Sequence, residues 1–184
     1  MSETPSRLAD RAGELRQAFD RAFTEAARPA AVQTDDLLAL RVGPDPYALR
    51  LSEIAGLYAD RAVTRVPGGA AALLGFAGFR GAIAPVYDLH LLLGQASAKA
   101  PRWLVMAQAV PVALAFEAFE GHLRVPREAI LGQAIRAQGP GQTSHPLIRG
   151  FASTDGLARP IVHLPSVLDA IRTAPPRSNV RMEG

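Results

Sequence analysis

The residues of this chain that could carry out acid–base or nucleophilic chemistry are few and scattered. The four histidines are His90, His122, His145 and His163, and no two have the i, i+2 or i, i+4 spacing typical of a metal-binding strand or helix. Ser144 precedes His145, but the glycine pattern of a nucleophile elbow and a third member of a Ser/His/Asp set are missing. The spacing therefore favours packing or surface roles for the histidines, and it predicts neither a metal site nor a catalytic triad.

Composition excludes further classes of chemistry. The 184 residues include no cysteine, so a disulfide framework, a thiol nucleophile and a cysteine-type zinc site are all excluded. Twenty basic against 17 acidic residues give a net charge of only +3, which is too weak a field to indicate a nucleic-acid partner. The N-terminus is too charged for a secretion signal, and no window approaches roughly 20 uninterrupted apolar residues. We therefore expect a cytoplasmic protein without direct membrane insertion.

A glycine-rich run over residues 75–81 invites comparison with a phosphate-binding loop. The run lacks the Gly-Lys-Ser/Thr ending of such loops, and a strand-like segment, not a helix, follows it. Glycines within strands more often mark bulges or a close backbone approach. Arg80 then lies on a tight Arg-Gly turn between apolar strands, where its guanidinium is either simply solvated or displayed for a partner.

The elements that would position these residues begin with an N-terminal helix. Over residues 1–30, apolar residues recur three or four positions apart, which predicts an amphipathic helix with Leu8, Leu15 and Phe23 on one stripe. Its other face mixes acidic and basic residues, which argues against a basic membrane anchor. A linker over residues 31–35 follows. We expect the apolar stripe to be buried, either on the chain's own domain or against a partner or membrane surface.

Short strands separated by turn-forming residues follow from residue 36. The predicted strands span residues 37–42, 47–51, 54–58, 76–79 and 82–86, and then residues 103–107, 112–116, 123–125, 148–152 and 157–162. A short helix over residues 88–93, capped by Asp88 and stopped by Gly94, lies between the two sets. Apolar residues recur with helical spacing from Leu164 onward, and residues 173–184 are expected to form a flexible tail.

An internal repeat relates the two sets of strands. A shift of 75 positions superimposes Gly75-Phe76-Ala77 on Gly150-Phe151-Ala152, Gly81 on Gly156 and Pro85 on Pro160. A weaker match at 65 positions superimposes Ala48-Leu49 on Ala113-Leu114. Each matched glycine or proline fixes a backbone requirement, so a chance alignment of all of them is improbable. The repeat predicts two homologous halves, at about residues 36–94 and 102–172.

Two homologous halves of five short strands, each with an internal proline, favour a mainly β fold of two small barrels over a layered α/β sheet. One large sandwich whose strands merely look alike is the alternative. Asp88 and His163 are equivalent under the 75-residue shift. The repeat therefore explains this pair better as helix-start residues than as an acid/base pair.

The repeated region resembles the CheW family, the adaptor proteins of bacterial chemosensory arrays. The family's most recognisable stretch runs Thr-Arg-Val-Pro-x-x-Pro, a glycine, an Asn-Leu-Arg-Gly turn and then Pro-Val-x-Asp-Leu. The corresponding residues here are Thr64-Arg65-Val66-Pro67-Gly68-Gly69-Ala70, Gly75, Gly78-Phe79-Arg80-Gly81 and Pro85-Val86-Tyr87-Asp88-Leu89. In the second half, the segments at residues 113–117 and 150–168 resemble a family strand and the family's closing repeat.

This resemblance implies two SH3-like five-stranded barrels around a shared core, with no catalytic activity and no cofactor or metal. It implies one surface for the SH3-like regulatory domain of a CheA-type histidine kinase and a groove between the halves for the cytoplasmic tip of a methyl-accepting chemoreceptor. The receptor-groove candidates carried over by motif are Arg80, Gly81, Gly78 and Phe79. Candidates for partner docking on the third strand are Ile54, Gly56 and Leu57, and the motif framework is Pro67, Gly75, Pro85 and Asp88.

The chain departs from the family pattern at three positions. Gly78 replaces the motif asparagine, Ala70 replaces the second proline, and Gly56 replaces an acidic residue common on the third strand. We therefore expect a divergent adaptor recruited to membrane-associated receptor arrays. One alternative is a scaffold or inhibitor that binds only a kinase SH3-like domain or another adaptor in a non-motility pathway. A small hydrolase is a more remote alternative.

Overall fold

The computed structural model describes residues 33–67, 70–96, 100–132, 145–154 and 156–174. The predicted N-terminal helix and most of the predicted C-terminal tail lie outside these residues. The strands are β1 (Thr34–Val42), β2 (Asp45–Arg50), β3 (Ile54–Ala59), β4 (Leu73–Phe79), β5 (Ala82–Asp88), β6 (Trp103–Ala107), β7 (Ala113–Phe116), β8 (Ala118–Pro126), β9 (Ile130–Gly132), β10 (Ile148–Thr154) and β11 (Leu157–Val162). Helix α1 is Leu89–Leu92, helix α2 is Leu164–Thr173, and short 3-10 helices span Leu51–Glu53 and Arg127–Ala129.

These strands form two sheets, which confirms the predicted mainly β class. One sheet has six strands in the order β8-β1-β2-β11-β10-β9, and the other has five in the order β3-β6-β7-β5-β4. The expectation of five strands in each is therefore wrong for one sheet. The sixth strand, β9, has three residues, too few for an alternating pattern to be recognised in the sequence. Its counterpart in the other sheet is a single bridge between Thr64 and Phe76.

The two halves of the sequence do not form one sheet each, which corrects the assignment of one barrel to each half. The β1–β2 hairpin of the first half lies in the six-stranded sheet, and the β6–β7 hairpin of the second half lies in the five-stranded sheet. Two parallel strand pairs make this exchange, because β2 pairs with β11 and β5 pairs with β7. Each subdomain is therefore assembled from both halves of the chain.

The register of the strands nevertheless preserves the internal repeat. In the parallel pairs, Val86 lies opposite Ala113 and Ile161 lies opposite Ala48. These pairs are related by the shifts found in the sequence, 75 positions for β5 and β11 and 65 for β2 and β7. The register shifts within β4 and β10 also fall at equivalent places, immediately before Gly75 and before Gly150. The two subdomains are thus two copies of one strand arrangement with exchanged hairpins.

Alternate residues of the strands face different cores. On β7, Leu114 and Phe116 belong to a shared core with side chains from both sheets and both helices, whereas Ala113 and Ala115 belong to the core of the five-stranded subdomain. The six-stranded subdomain has its own small core of Leu37, Ala48, Val125, Ala152 and Ile161. Because the shared core joins the two sheets, both sheets hold the surface at their junction in place.

The two helices begin as the repeat predicts. The Asp88 carboxylate accepts a hydrogen bond from the backbone N–H of His90 at 2.9 Å, which caps α1. At the equivalent position, the His163 ring accepts one from the backbone N–H of Ser166 at 3.3 Å and caps α2. Both residues are therefore helix-start residues, as predicted. None of the described helices has the length and apolarity needed to cross a membrane.

Ion pairs on the six-stranded subdomain use several of the arginines. Glu120 on β8 accepts hydrogen bonds from Arg41 on β1 and from Arg159 on β11. Burial raises the pKa of Glu120, but the hydrogen bonds from the two guanidinium groups outweigh it and hold the pKa below its usual value. The ionised carboxylate thus links three strands that are not consecutive in the chain.

Candidate functional site

The Arg80-Gly81 turn joins β4 to β5 and displays its arginine. Phe79 and Ala82 form the last strand pair, and φ is 47° at Arg80 and 87° at Gly81, the positive values of a two-residue hairpin turn. For a residue other than glycine, this conformation costs about 1–2 kcal/mol. Arg80 is exposed and has no ion pair or hydrogen bond with any of the described residues. Its charge is therefore not used within this part of the chain.

The neighbouring candidates on β4 contribute differently. Phe79 is buried in the core of the five-stranded subdomain, where its ring meets the Tyr58 ring edge-on with 4.9 Å between centroids. Its side chain therefore anchors the turn from inside. Gly78 is exposed and faces open space, so the loss of the motif asparagine leaves a flat strand surface beside Arg80.

An apolar surface that the sequence analysis did not predict lies beside this turn. Ile83 is 77% exposed, Val66 is 45% exposed and Phe76 is 37% exposed. Phe76 lies opposite Pro85 in the strand pair. We call Val66, Phe76, Ile83 and Pro85 the apolar face. The alternation along β5 is the signal that was missed: Ala84 and Val86 are buried, so Ile83 and Pro85, which alternate with them, face the other side of the strand.

The third-strand candidates lie on β3 at the end of the five-stranded sheet. Ile54 and Leu57 are partly buried and pack against the shared core. A Cβ atom added to Gly56 would lie 3.0 Å from atoms of the Tyr58 ring, so this ring occupies the space that a side chain would need. A side chain at position 56 would therefore require the Tyr58 side chain to move. Ala55 and Ala59 are the exposed residues of the strand.

A cleft of about 190 Å³ lies next to the start of β3. It is lined by Ser52, Glu53, Ala107, Gln108, Ala109, Leu164, Pro165 and Leu168. The first five belong to the β3 and β6 ends of one subdomain, and the last three belong to α2, which follows the six-stranded sheet. The cleft is thus at the junction of the subdomains, and Arg80 and its neighbours do not line it. No sequence motif marks it, because its walls come from distant segments.

Polar side chains beside the cleft serve the start of α2. The Glu53 carboxylate accepts a hydrogen bond from the backbone N–H of Leu164 at 2.9 Å. His163 Nδ1 lies 2.9 Å from Ser166 Oγ, and His163 Nε2 lies 4.0 Å from Glu53, which is beyond hydrogen-bond distance. This Ser/His/Glu set resembles a triad only in composition, since helix capping accounts for its close contacts.

Another histidine, His90, lies away from the surface. His90 is 1% exposed, with ring nitrogens 3.3 Å from Asp88 and 3.6 Å from Glu117. Neither ring nitrogen has a hydrogen bond in the described structure. Within those same residues, no three His, Cys, Asp or Glu side chains are placed to hold a metal ion.

The framework residue Gly75 allows the Thr-Arg-Val-Pro segment to pack against β4. Gly75 has a φ of 147°, and a Cβ atom there would lie 2.0 Å from the Thr64 carbonyl oxygen. Only a glycine at this point of β4 therefore lets the Thr64 backbone come so close. Thr64 and Phe76 exchange two backbone hydrogen bonds at this point. Pro67 is exposed beyond them. The Thr-Arg-Val-Pro segment is therefore fixed against β4, with Val66 facing solvent.

Exposed apolar side chains, an arginine without a partner among the described residues and a cleft between two β subdomains are features of a protein-interaction module. The CheW-like domain family matches residues 36–172, and this chain belongs to that family. Fifteen chains of solved structures match it. One is the scaffolding protein TtCheW from Thermoanaerobacter tengcongensis, with 18% identity and a TM-score of 0.61 over 72% of this chain and 92% of that one. None of the curated proteins compared matches. These findings establish the two-subdomain SH3-like fold and support a chemotaxis adaptor or scaffold role.

Proposed function

We propose that this chain is a non-catalytic adaptor that links chemoreceptors to a CheA-type histidine kinase in a bacterial chemosensory complex. It works in the cytoplasm at membrane-associated receptor arrays. The observation that carries the proposal is Arg80, which lies on the family's motif turn, is exposed, and has no partner within the described residues. A charged side chain held in a costly backbone conformation without an internal contact is suited to an external partner.

The receptor contact is the Arg80-Gly81 turn with the adjoining end of β4. Arg80 supplies a guanidinium for a carboxylate on the receptor tip, and Gly78 leaves the strand beside it free of side-chain obstruction. The rigid turn holds the arginine in place, because Phe79 is fixed in the core behind it. The site is therefore preformed, and little conformational entropy of the turn is lost when the receptor binds.

The kinase contact is the β3 side of the same subdomain, with the junction cleft beside it. The cleft is bounded by the 3-10 helix before β3, the β6–β7 connection and α2. Ile54 and Leu57 support this surface from the shared core. A single apolar side chain from the kinase regulatory domain would fill the cleft. The hydrogen bond from the Leu164 N–H to the Glu53 carboxylate joins the two walls of the cleft.

Binding measurements separate these two contacts. Arg80→Ala is expected to weaken binding of a receptor signalling fragment by about tenfold or more and to leave binding of the kinase regulatory domain unchanged. Arg172→Ala, which removes an exposed arginine from α2, is the matched control and should change neither. Ala109→Arg, which fills the cleft, should weaken only the kinase. The proposal is wrong if the full chain binds neither partner, or if Arg80→Ala behaves like Arg172→Ala.

A further inference from the structure

His90 is a buried histidine that takes no part in the proposed contacts. Two carboxylates face its ring: Asp88 Oδ1 lies 3.3 Å from Nδ1, and Glu117 Oε1 lies 3.6 Å from Nε2. Among the residues that the structure describes, neither ring nitrogen has a hydrogen bond, and neither has Glu117 Oε1, which is also buried. Buried polar atoms in proteins are almost always paired, so this group of side chains needs an explanation. We call Asp88, His90 and Glu117 the junction cluster.

The junction cluster connects the two subdomains. Asp88 ends β5 in the five-stranded sheet, and Glu117 is the single residue between β7 of that sheet and β8 of the six-stranded sheet. The edge of the His90 ring that carries Nε2 also faces the β1–β2 turn of the six-stranded sheet, where a Cβ atom at Gly43 would lie 3.7 Å from Nε2. His90 therefore lies where the chain crosses from one subdomain to the other.

The internal repeat relates this place to the junction cleft. Three residues align, under the shifts of 75 and 65 positions, with residues that line the cleft: His90 with Pro165, Gly43 with Gln108, and Glu117 with Ser52. The subdomains thus meet at two equivalent places. One of them contains an open cleft, and the other contains a buried imidazole between two carboxylates.

The protonation of the ring decides whether both carboxylates can be bound. A neutral imidazole has one N–H donor and one acceptor, so it can donate to only one carboxylate and turns a lone pair towards the other. An imidazolium donates from both nitrogens. The other charged or titratable side chains around the ring lie on the β1–β2 hairpin and have their own partners: Asp45 and Tyr47 accept hydrogen bonds from Gln95, and Arg41 pairs with Glu120. Asp88 and Glu117 are therefore left to bind the ring.

We infer that the junction cluster is a proton-dependent link between the subdomains. In the protonated ring, Nδ1 donates to Asp88 and Nε2 donates to Glu117, so one buried side chain joins the end of β5 to the β7–β8 crossing. Loss of the proton removes one of these bonds and leaves a nitrogen lone pair facing a carboxylate. The unfolded chain holds no such pair of carboxylates around the ring. The link therefore stabilises the fold at the acid end of the histidine range, roughly pH 5–8, and weakens as the pH rises through it.

This inference goes beyond the adaptor role and depends on neither a receptor nor a kinase. Melting temperatures of the full chain at two pH values test it. His90→Gln keeps a polar side chain but removes the titratable ring, so the wild type should melt higher by about 5 °C or more at about pH 5.5 and by less than about 2 °C at about pH 8. His122→Gln removes an exposed histidine that faces Asp36 and is the matched control. It should differ from the wild type by less than about 2 °C at both pH values.

NMR spectra of the wild type with 15N-labelled histidine follow the proton itself. Both ring nitrogens of His90 should carry a proton at about pH 5.5, and the loss of one at higher pH should coincide with shifts of the Gly43 and Glu117 backbone amides. A His90 ring that is neutral at about pH 5.5 overturns the inference, and so does an equal melting difference between wild type and His90→Gln at both pH values. The NMR measurement needs only the wild type, so it decides the question even if His90→Gln does not fold.

Discussion

Replacement of Gly75 by alanine tests how the segment that carries Val66 is held on β4. A Cβ atom at Gly75 would lie 2.0 Å from the Thr64 carbonyl oxygen and 2.7 Å from the carbonyl carbon. Both are backbone atoms, so rotation of a side chain cannot relieve the collision. The segment would have to move off the strand, and Val66 would move with it.

The size of the effect follows from the contacts that this movement breaks. The Thr64 N–H donates to the Phe76 carbonyl at 2.8 Å, and the Phe76 N–H donates to the Thr64 carbonyl at 2.9 Å. Loss of both bonds costs about 1–3 kcal/mol, and the φ of 147° costs alanine about 1–3 kcal/mol more. We therefore expect Gly75→Ala to lower the free energy of unfolding by roughly 2–6 kcal/mol, a large share of a typical domain's stability.

Gly150 supplies the matched control, because it occupies the equivalent position in the second half. A Cβ atom there would lie 3.1 Å from the Leu131 carbonyl oxygen, and its φ is outside the left-handed range. Gly150→Ala should therefore cost about 1 kcal/mol, the lower end of overpacking costs. Urea unfolding followed by circular dichroism measures both variants. The reasoning is refuted if Gly75→Ala is no more destabilised than Gly150→Ala.

Two further changes test the turn and an ion-pair cluster. Arg80→Gly removes the cost of a positive φ at a residue other than glycine. In urea unfolding, the free energy of unfolding should therefore stay unchanged or rise by up to about 1 kcal/mol, while binding of the receptor fragment weakens. A clear loss of stability would contradict the turn geometry. The pKa of Glu120 is lower in the folded chain than in the unfolded one. Its pairing with Arg41 and Arg159 therefore stabilises the fold at pH values above the ordinary pKa of 4.5, and this stabilisation is lost as the pH falls through the folded-state pKa. The difference in melting temperature between wild type and Glu120→Gln should therefore be largest near neutral pH and shrink below about pH 4.5, and an equal difference at pH 7 and pH 3.5 would refute this.

Most elements could be predicted from the sequence because their signals are local. The strands at residues 103–107 and 157–162 have the predicted bounds, and the Gly43-Pro44 turn lies inside the predicted hairpin loop. The caps of α1 and α2 were found because the repeat aligns Asp88 with His163. The exchange of hairpins between the two sheets was not predicted, since alternation along a strand gives its buried face but not its neighbour in the sheet.

The candidate site, too, could be predicted only where its residues are neighbours in the sequence. The Arg80-Gly81 turn depends on two adjacent residues and was recognised as a turn. The junction cleft depends on α2 reaching the ends of β3 and β6, a contact across more than half of the chain. The position of the Tyr58 ring next to Gly56 also required the structure, because the sequence does not determine the direction of that side chain.

The exchange of hairpins also determines when each subdomain can form during synthesis. β1 and β2 leave the ribosome before the other described strands, yet the strands that flank them in the sheet are β8 and β11, and β11 is the last of the described strands to be made. The five-stranded subdomain, in contrast, is complete once β7 has emerged. It can therefore fold while the β1–β2 hairpin still waits for its sheet. Long-range closure of the six-stranded sheet then becomes the slow step, and the apolar side of that hairpin must stay protected until β11 has emerged.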